Sequence, residues 1–156
     1  MTSKQDFTDE EWTRVRRAPL VAGVAISLAD PGGPIELAKE TMATLRSATL
    51  PPSQEELLAS VALDVQAMTQ HKQNPLGDFK PRGGQQVLEE LKAVNELVTA
   101  KATPEEVEAF RGWLLTAAQA AADAGKEGGF MGFGGEQVSA GEQQMLAQVR
   151  AALGMA

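Results

Sequence analysis

Four carboxylates stand where a chain could hold a hard cation: Asp30 with Glu36, and Asp123 with Glu127. Calcium and magnesium take oxygen ligands of this kind. Neither pair has the alternating spacing of an EF-hand loop. An acid at a helix C-terminus gains nothing from the helix dipole, so Asp30 and Asp123 call for a partner. The chain has one histidine, His71, and no cysteine. A zinc site needs several nitrogen or sulfur ligands, and a general base needs an orienting partner. His71 has neither in the sequence and reads as a surface residue near a helix C-terminus. No pair of His or Cys exists to hold a haem or iron, and no cofactor is expected. Ser139 is not a nucleophile elbow, because Gln137 occupies a position where that motif needs glycine. Asp64 lies at the edge of an apolar helix face and Asn95 near another, and both read as boundary residues bonded to a neighbour.

The glycine-rich run Gly128-Gly-Phe-Met-Gly-Phe-Gly-Gly135 invites comparison with a phosphate loop, but no strand precedes it and no Gly-Lys-Ser/Thr follows. Its apolar content is the stronger signal. Phe130, Met131 and Phe133 sit in a flexible frame without helical period. They either fold back against the Ala-rich stretch before them or present themselves to a partner, as exposed apolar clusters do.

Composition narrows the classes further. With 156 residues, 43% apolar and 22% charged, the chain suits one helical domain with a core of its own. Net charge is −7, and between Glu89 and Glu142 ten acids face four bases. Such a surface repels phosphate backbones, so nucleic acid is not an expected partner. The small basic groupings, Arg14 with Arg16 and Arg17, and Lys80 with Arg82, read as a solvated helix face and a loop. The opening residues are polar and acidic, unlike a secretory signal, and no membrane span is visible; the expected compartment is the cytoplasm.

The elements that must position these residues are helical. Pro19 to Ala29 carries no charge, and Ser27 is its only polar side chain. So uniformly apolar a segment predicts a short helix enclosed on all sides. Thr8 to about Arg17 predicts a helix before it, which Pro19 either kinks or separates from the buried one. Capping boxes at Thr8–Glu11, Ser53–Glu56, Thr103–Glu106 and Ser139–Glu142 predict helix starts, with Phe7 and Trp12 placed as a hydrophobic staple. Ile35, Ala38, Met42 and Leu45 fall on one face of a helix that Pro51 and Pro52 end. Apolar stripes at Leu57–Met68, Val87–Val98, Val107–Ala121 and Met145–Leu153 predict four more. Two stretches repeat a scheme: an Ala-rich helix ending in Ala-Asp, a glycine break, then a second amphipathic helix. The expected fold is all-α, a compact bundle of six or seven helices with two helical hairpins around a buried central helix.

The opening Phe7-Thr-Asp-Glu-Glu-Trp12, the buried stretch ending Leu28-Ala-Asp30, and Gly128-Gly-Phe-Met-Gly-Phe-Gly134 followed by Ser139-x-x-Glu142 resemble the TerB-like group of bacterial helical proteins, named from tellurite resistance. The resemblance implies an all-α bundle, loose associations with stress response, metal ions and membrane-linked complexes, and no established enzymatic activity. This chain departs from the group's acidic loop, since Asp30 is followed by Pro31, Gly32 and Gly33 before the next acid, Glu36.

The expectation is thus a non-enzymatic interaction or scaffold module that docks a protein partner or its own copy through Phe130, Met131 and Phe133, with a membrane surface less favoured. The alternative is a divalent-metal-binding stress protein using Asp30, Glu36, Asp123 and Glu127.

Overall fold

The uncharged stretch after Pro19 forms the second half of one helix, α1 (Asp9–Ala29), in a computed structural model that describes residues 2–29, 33–126 and 139–155. The two-helix alternative at Pro19 is therefore corrected. The proline ring leaves the Val15 carbonyl without its usual donor, a cost of about 3 kcal/mol in a helix interior. Packing outweighs it. Val15, Ala18, Val21, Ala22, Ala25 and Ile26 are fully buried, and the helix runs straight through the position that local propensity would break.

Among the described residues, five more α-helices surround it: α2 (Pro34–Thr49), α3 (Glu56–Gln70), α4 (Gly84–Lys101), α5 (Pro104–Lys126) and α6 (Ala140–Ala152). A short 3₁₀ turn, Lys4–Asp6, precedes α1. Helix α1 packs against all five others, α2 lies along α5, and α5 also meets α6. The two expected hairpins, α1–α2 and α5–α6, thus interlock with α1 at the centre. Ala117, Ala118, Ala121 and Ala122 on α5 are all fully buried, and side chains this small let neighbouring backbones come close. Trp113 fills the same interface and donates its indole N–H to the Ser47 carbonyl of α2 at 2.8 Å. No helix is long and apolar enough to cross a membrane among the described residues.

Three of the four capping boxes form. Thr8 and Glu11 exchange bonds of 2.8 and 3.1 Å, and Thr103 with Glu106 and Ser139 with Glu142 do the same. Phe7 and Trp12 meet with ring centroids 5.7 Å apart, as a staple should. The box at Ser53 does not form. After Pro51 and Pro52 the chain enters α3 only at Glu56, with Glu55 at the cap position, so Ser53 is too early to reach the first turn. Its buried hydroxyl has no hydrogen-bond partner.

Candidate functional site

Helix α2 is where expected and observed packing differ most. Gly33 leads into it and Pro34 sits in its first turn, where a missing N–H costs nothing. The residues it buries are Glu40, Thr44 and Ala48, one every four positions. Glu40 is 3% exposed and accepts a hydrogen bond from the Ser27 hydroxyl of α1 at 2.5 Å. Thr44 returns its own hydroxyl to the Glu40 carbonyl at 2.8 Å. Two glycines make room. A Cβ on Gly23 of α1 would overlap the Thr44 side chain, and one on Gly125 of α5 would stand 2.8 Å from a Glu40 carboxylate oxygen.

These inward contacts fix the helix's rotation and turn its apolar stripe outward. Ile35 is 72% exposed, Met42 59% and Leu37 52%, while only Leu45 of the expected stripe is half-buried. Leu50, just past the helix, is 65% exposed, and Leu28 at the end of α1 also reaches solvent. Leu63 on α3 is the one other large apolar side chain exposed among the described residues. On one side of α2 an open depression of about 650 Å³ is lined by Ile35, Ala38, Lys39, Met42, Ala43 and Arg46, with Ala124 of α5. On the other side a narrower, nearly apolar cleft of about 280 Å³ is lined by Val24, Leu28, Leu37 and Leu76.

Of the four carboxylates and three apolar residues expected at a site, only Glu36 and Asp123 fall among the described residues. Asp30, Glu127, Phe130, Met131 and Phe133 lie outside the described residues. Glu36 is exposed in the first turn of α2. Asp123 is exposed on α5 and accepts from the Gln119 side-chain amide at 3.0 Å. Among the described residues, no group of three or more His, Asp or Glu side chains comes together as a metal ion requires. His71 is the exposed C-cap of α3. Asp64 accepts the Trp12 indole N–H at 2.7 Å and pairs with Lys4 at 3.2 Å, and Asn95 accepts from Arg111 at 2.7 Å. Both are boundary residues with structural partners.

Arg14 and Arg17 are not a solvated face. Both donate to Glu90 of α4, at 2.7 and 3.1 Å, and the Arg17 guanidinium lies 4.9 Å from the centre of the Phe79 ring. Burial raises the Glu90 pKa, but the two arginines outweigh it and hold the carboxyl below its usual value. Glu106 behaves likewise. Burial opposes its charge, yet bonds from the Thr2 hydroxyl and amide at 2.7 and 2.8 Å, with those of its capping box, depress its pKa. Arg14, Arg17 and Glu90 also line a polar pocket of about 550 Å³, together with Asp78, Phe79, Lys80, Gln86 and Glu89.

The buried Glu40 and the outward stripe were the features that spacing along the chain did not reveal. One signal was present: Ser27 is the lone hydroxyl in an apolar run, and a buried hydroxyl requires a polar partner. Comparison with protein-family models, with curated proteins and with solved structures finds no match for this chain.

Proposed function

We propose that the chain is a non-enzymatic helical interaction module that docks a protein partner, or its own copy, through the outward face of α2. One observation carries this reading: Ile35 and Met42, with Leu50 just past the helix, expose apolar side chains on one flank of α2 in an otherwise well-packed bundle. Exposed apolar patches on a monomer surface commonly mark interaction sites. Phe130, Met131 and Phe133 are a second candidate contact on the strength of the sequence alone. The TerB-like resemblance, to a group without established enzymatic activity, points the same way.

A photo-reactive side chain introduced at Met42 tests the proposal in the cell of origin. We expect a discrete protein adduct, either heterologous or of twice the chain's mass, that is lost when Ile35 is also changed to Ser. Adducts no different from those formed by the same group at Leu63 would remove the reading.

A further inference from the structure

We infer that the cleft between α1 and α2 is a binding site for the single uncharged alkyl chain of a medium-chain amphiphile. It lies on the other side of α2 from Ile35 and Met42 and is independent of the interaction reading above. Leu20, Val24 and Leu28 recur every four residues along α1 and form one wall, and Leu37, Thr41 and Thr44 of α2 form the other. Leu76, from the connection between α3 and α4, closes a third side. That side is built in advance of any ligand. Asn74 accepts the Leu76 amide on its side chain and the Gly77 amide on its carbonyl, both at 3.0 Å. Gly77 has a φ of 58°, which a glycine adopts freely.

The chemistry of the walls selects the ligand. No ionised group lines the cleft, and its three hydroxyls already donate within the protein. Ser27 donates to the Glu40 carboxylate at 2.5 Å, Thr41 to the Leu37 carbonyl and Thr44 to the Glu40 carbonyl, both at 2.8 Å. An anion placed here meets no free donor and a cation meets no counter-charge in the walls, so either is desolvated without compensation. Carbon is what the walls can bind. Leu28 and Leu37, 36% and 52% exposed, keep apolar surface that such a chain covers.

Dimensions narrow the class further. Leu20 to Leu28 spans about 12 Å of α1, and Leu37 to Thr44 about 10.5 Å of α2. An extended alkyl chain, with bonds of about 1.5 Å at tetrahedral angles, advances roughly 1.25 Å per carbon, so about eight to ten carbons fill that length. Spread over it, the cleft's 280 Å³ leaves a section on the order of 25 Å², close to the ~20 Å² of one chain whose neighbours lie about 4.0–4.5 Å away. A protein helix, about 10–12 Å across with its side chains, is too wide to enter. A stable protein interface draws on about 800 Å² from each partner, far more than these walls present.

Calorimetric titration of the full chain with straight-chain alcohols tests the assignment. Octanol should bind saturably, one molecule per chain. Affinity should rise about fourfold per carbon from hexanol to decanol, as each methylene leaves water, and by less than about twofold from decanol to dodecanol, where the cleft ends. Octanoate and octylammonium should bind no more tightly than octanol. Val24→Trp, which sets a ring between the walls, should weaken octanol roughly tenfold or more, because a filled cleft has no room left. Thr41→Trp, at an exposed lining position, should weaken it comparably with the helical circular dichroism unchanged, and Leu63→Trp on α3 should not weaken it. Ile35→Ser with Met42→Ser should also leave octanol binding unaltered, so the α2 interaction reading stands or falls separately. Absence of saturable heat up to the solubility limit of octanol overturns the inference. So does affinity that climbs undiminished from decanol to dodecanol, the mark of unselective adsorption, or full binding in both the Val24 and the Thr41 variants. Sedimentation with phosphatidylcholine vesicles that those two variants abolish, without binding of any free alcohol, overturns it in favour of a bilayer.

Discussion

Within one hairpin, α1 encloses Val15, Val21 and Ile26 completely, while α2, starting at Pro34, leaves Ile35 and Met42 in solvent and buries Glu40 and Thr44. The two helices therefore do opposite things with their apolar residues. In α1 each large side chain removed from water contributes on the order of 1.5–3 kcal/mol. In α2 that contribution is left unrealised at Ile35, Leu37 and Met42, and the helix is held instead by the Ser27–Glu40 bond, the Trp113–Ser47 bond and close approach at Gly23. A helix that keeps its place through polar and steric contacts has its apolar side free. The difference teaches that the sides of one hairpin can be divided between stability and recognition, and substitutions can test that division.

The largest effect should come from the enclosed side. Ile26→Ala is expected to destabilise the fold by about 2–5 kcal/mol, read as a shift of the urea midpoint, because it opens a cavity where α1 meets its neighbours. A loss below about 1 kcal/mol would mean that α1 is not the central support its burial indicates. Next comes the seam between the two helices. Gly23→Ala should cost about 1–3 kcal/mol by forcing α1 and α2 apart, although alanine in place of a helical glycine ordinarily stabilises by up to about 1 kcal/mol. Thr44→Gly in the same chain should restore part of the loss, since Thr44 is the side chain the new Cβ would meet.

Much of this was legible from the chain. The uncharged run after Pro19, the apolar stripes and three capping boxes identify the helices, because burial and end-capping leave local patterns of fixed period. Of the two readings of Pro19, the one that separates two helices fails. The local cost is smaller than the gain from enclosing Val15 to Ile26, and that gain comes from all five other helices. The apolar stripe of α2 gave the helix but not its orientation. Which face turns inward depends on Ser27, thirteen residues before Glu40, and on Gly125 far downstream, and no periodicity within α2 records either. The arginines misled for a related reason: Glu90, which holds Arg14 and Arg17, lies more than seventy residues away. Of the candidate site, the expected metal and aromatic residues fall mostly outside the described residues, and the depression beside α2 became visible only once the helix's rotation was known.

A third prediction concerns that distant pair and separates interior charge from surface charge. The Glu90 carboxyl has a folded pKa below its unfolded value near 4.5, so its stabilisation is complete above that value and disappears as pH falls through the lower folded one. Glu90→Gln should therefore cost about 1–2 kcal/mol at neutral pH, a modest figure because Arg14 is 40% exposed and partly screened by solvent. The gap between the variant and the parent should close at low pH, while Glu106 continues to make both acid-sensitive. A gap that stays constant with pH would show that Glu90 acts through packing and not through its charge. Lys39→Glu with Arg46→Glu should show no comparable pH-dependent loss of stability, because both side chains are exposed and neither forms an ion pair among the described residues.

The smallest expected effect on stability is the one on which the division between the helices turns. Ile35→Ser with Met42→Ser should change the folding free energy by no more than about 0.5 kcal/mol, since exposed side chains away from caps and cores contribute little. The urea midpoint should barely move. If the pair instead cost 2 kcal/mol or more, the stripe would be serving the fold, covered by some part of this same chain, and α2 would cease to differ from α1. A negligible change would leave the outward face without a structural role. Loss of the Met42-centred adduct when Ile35 alone is changed to Ser would then assign that face to recognition, because an exposed apolar surface that stability does not need is otherwise an aggregation liability.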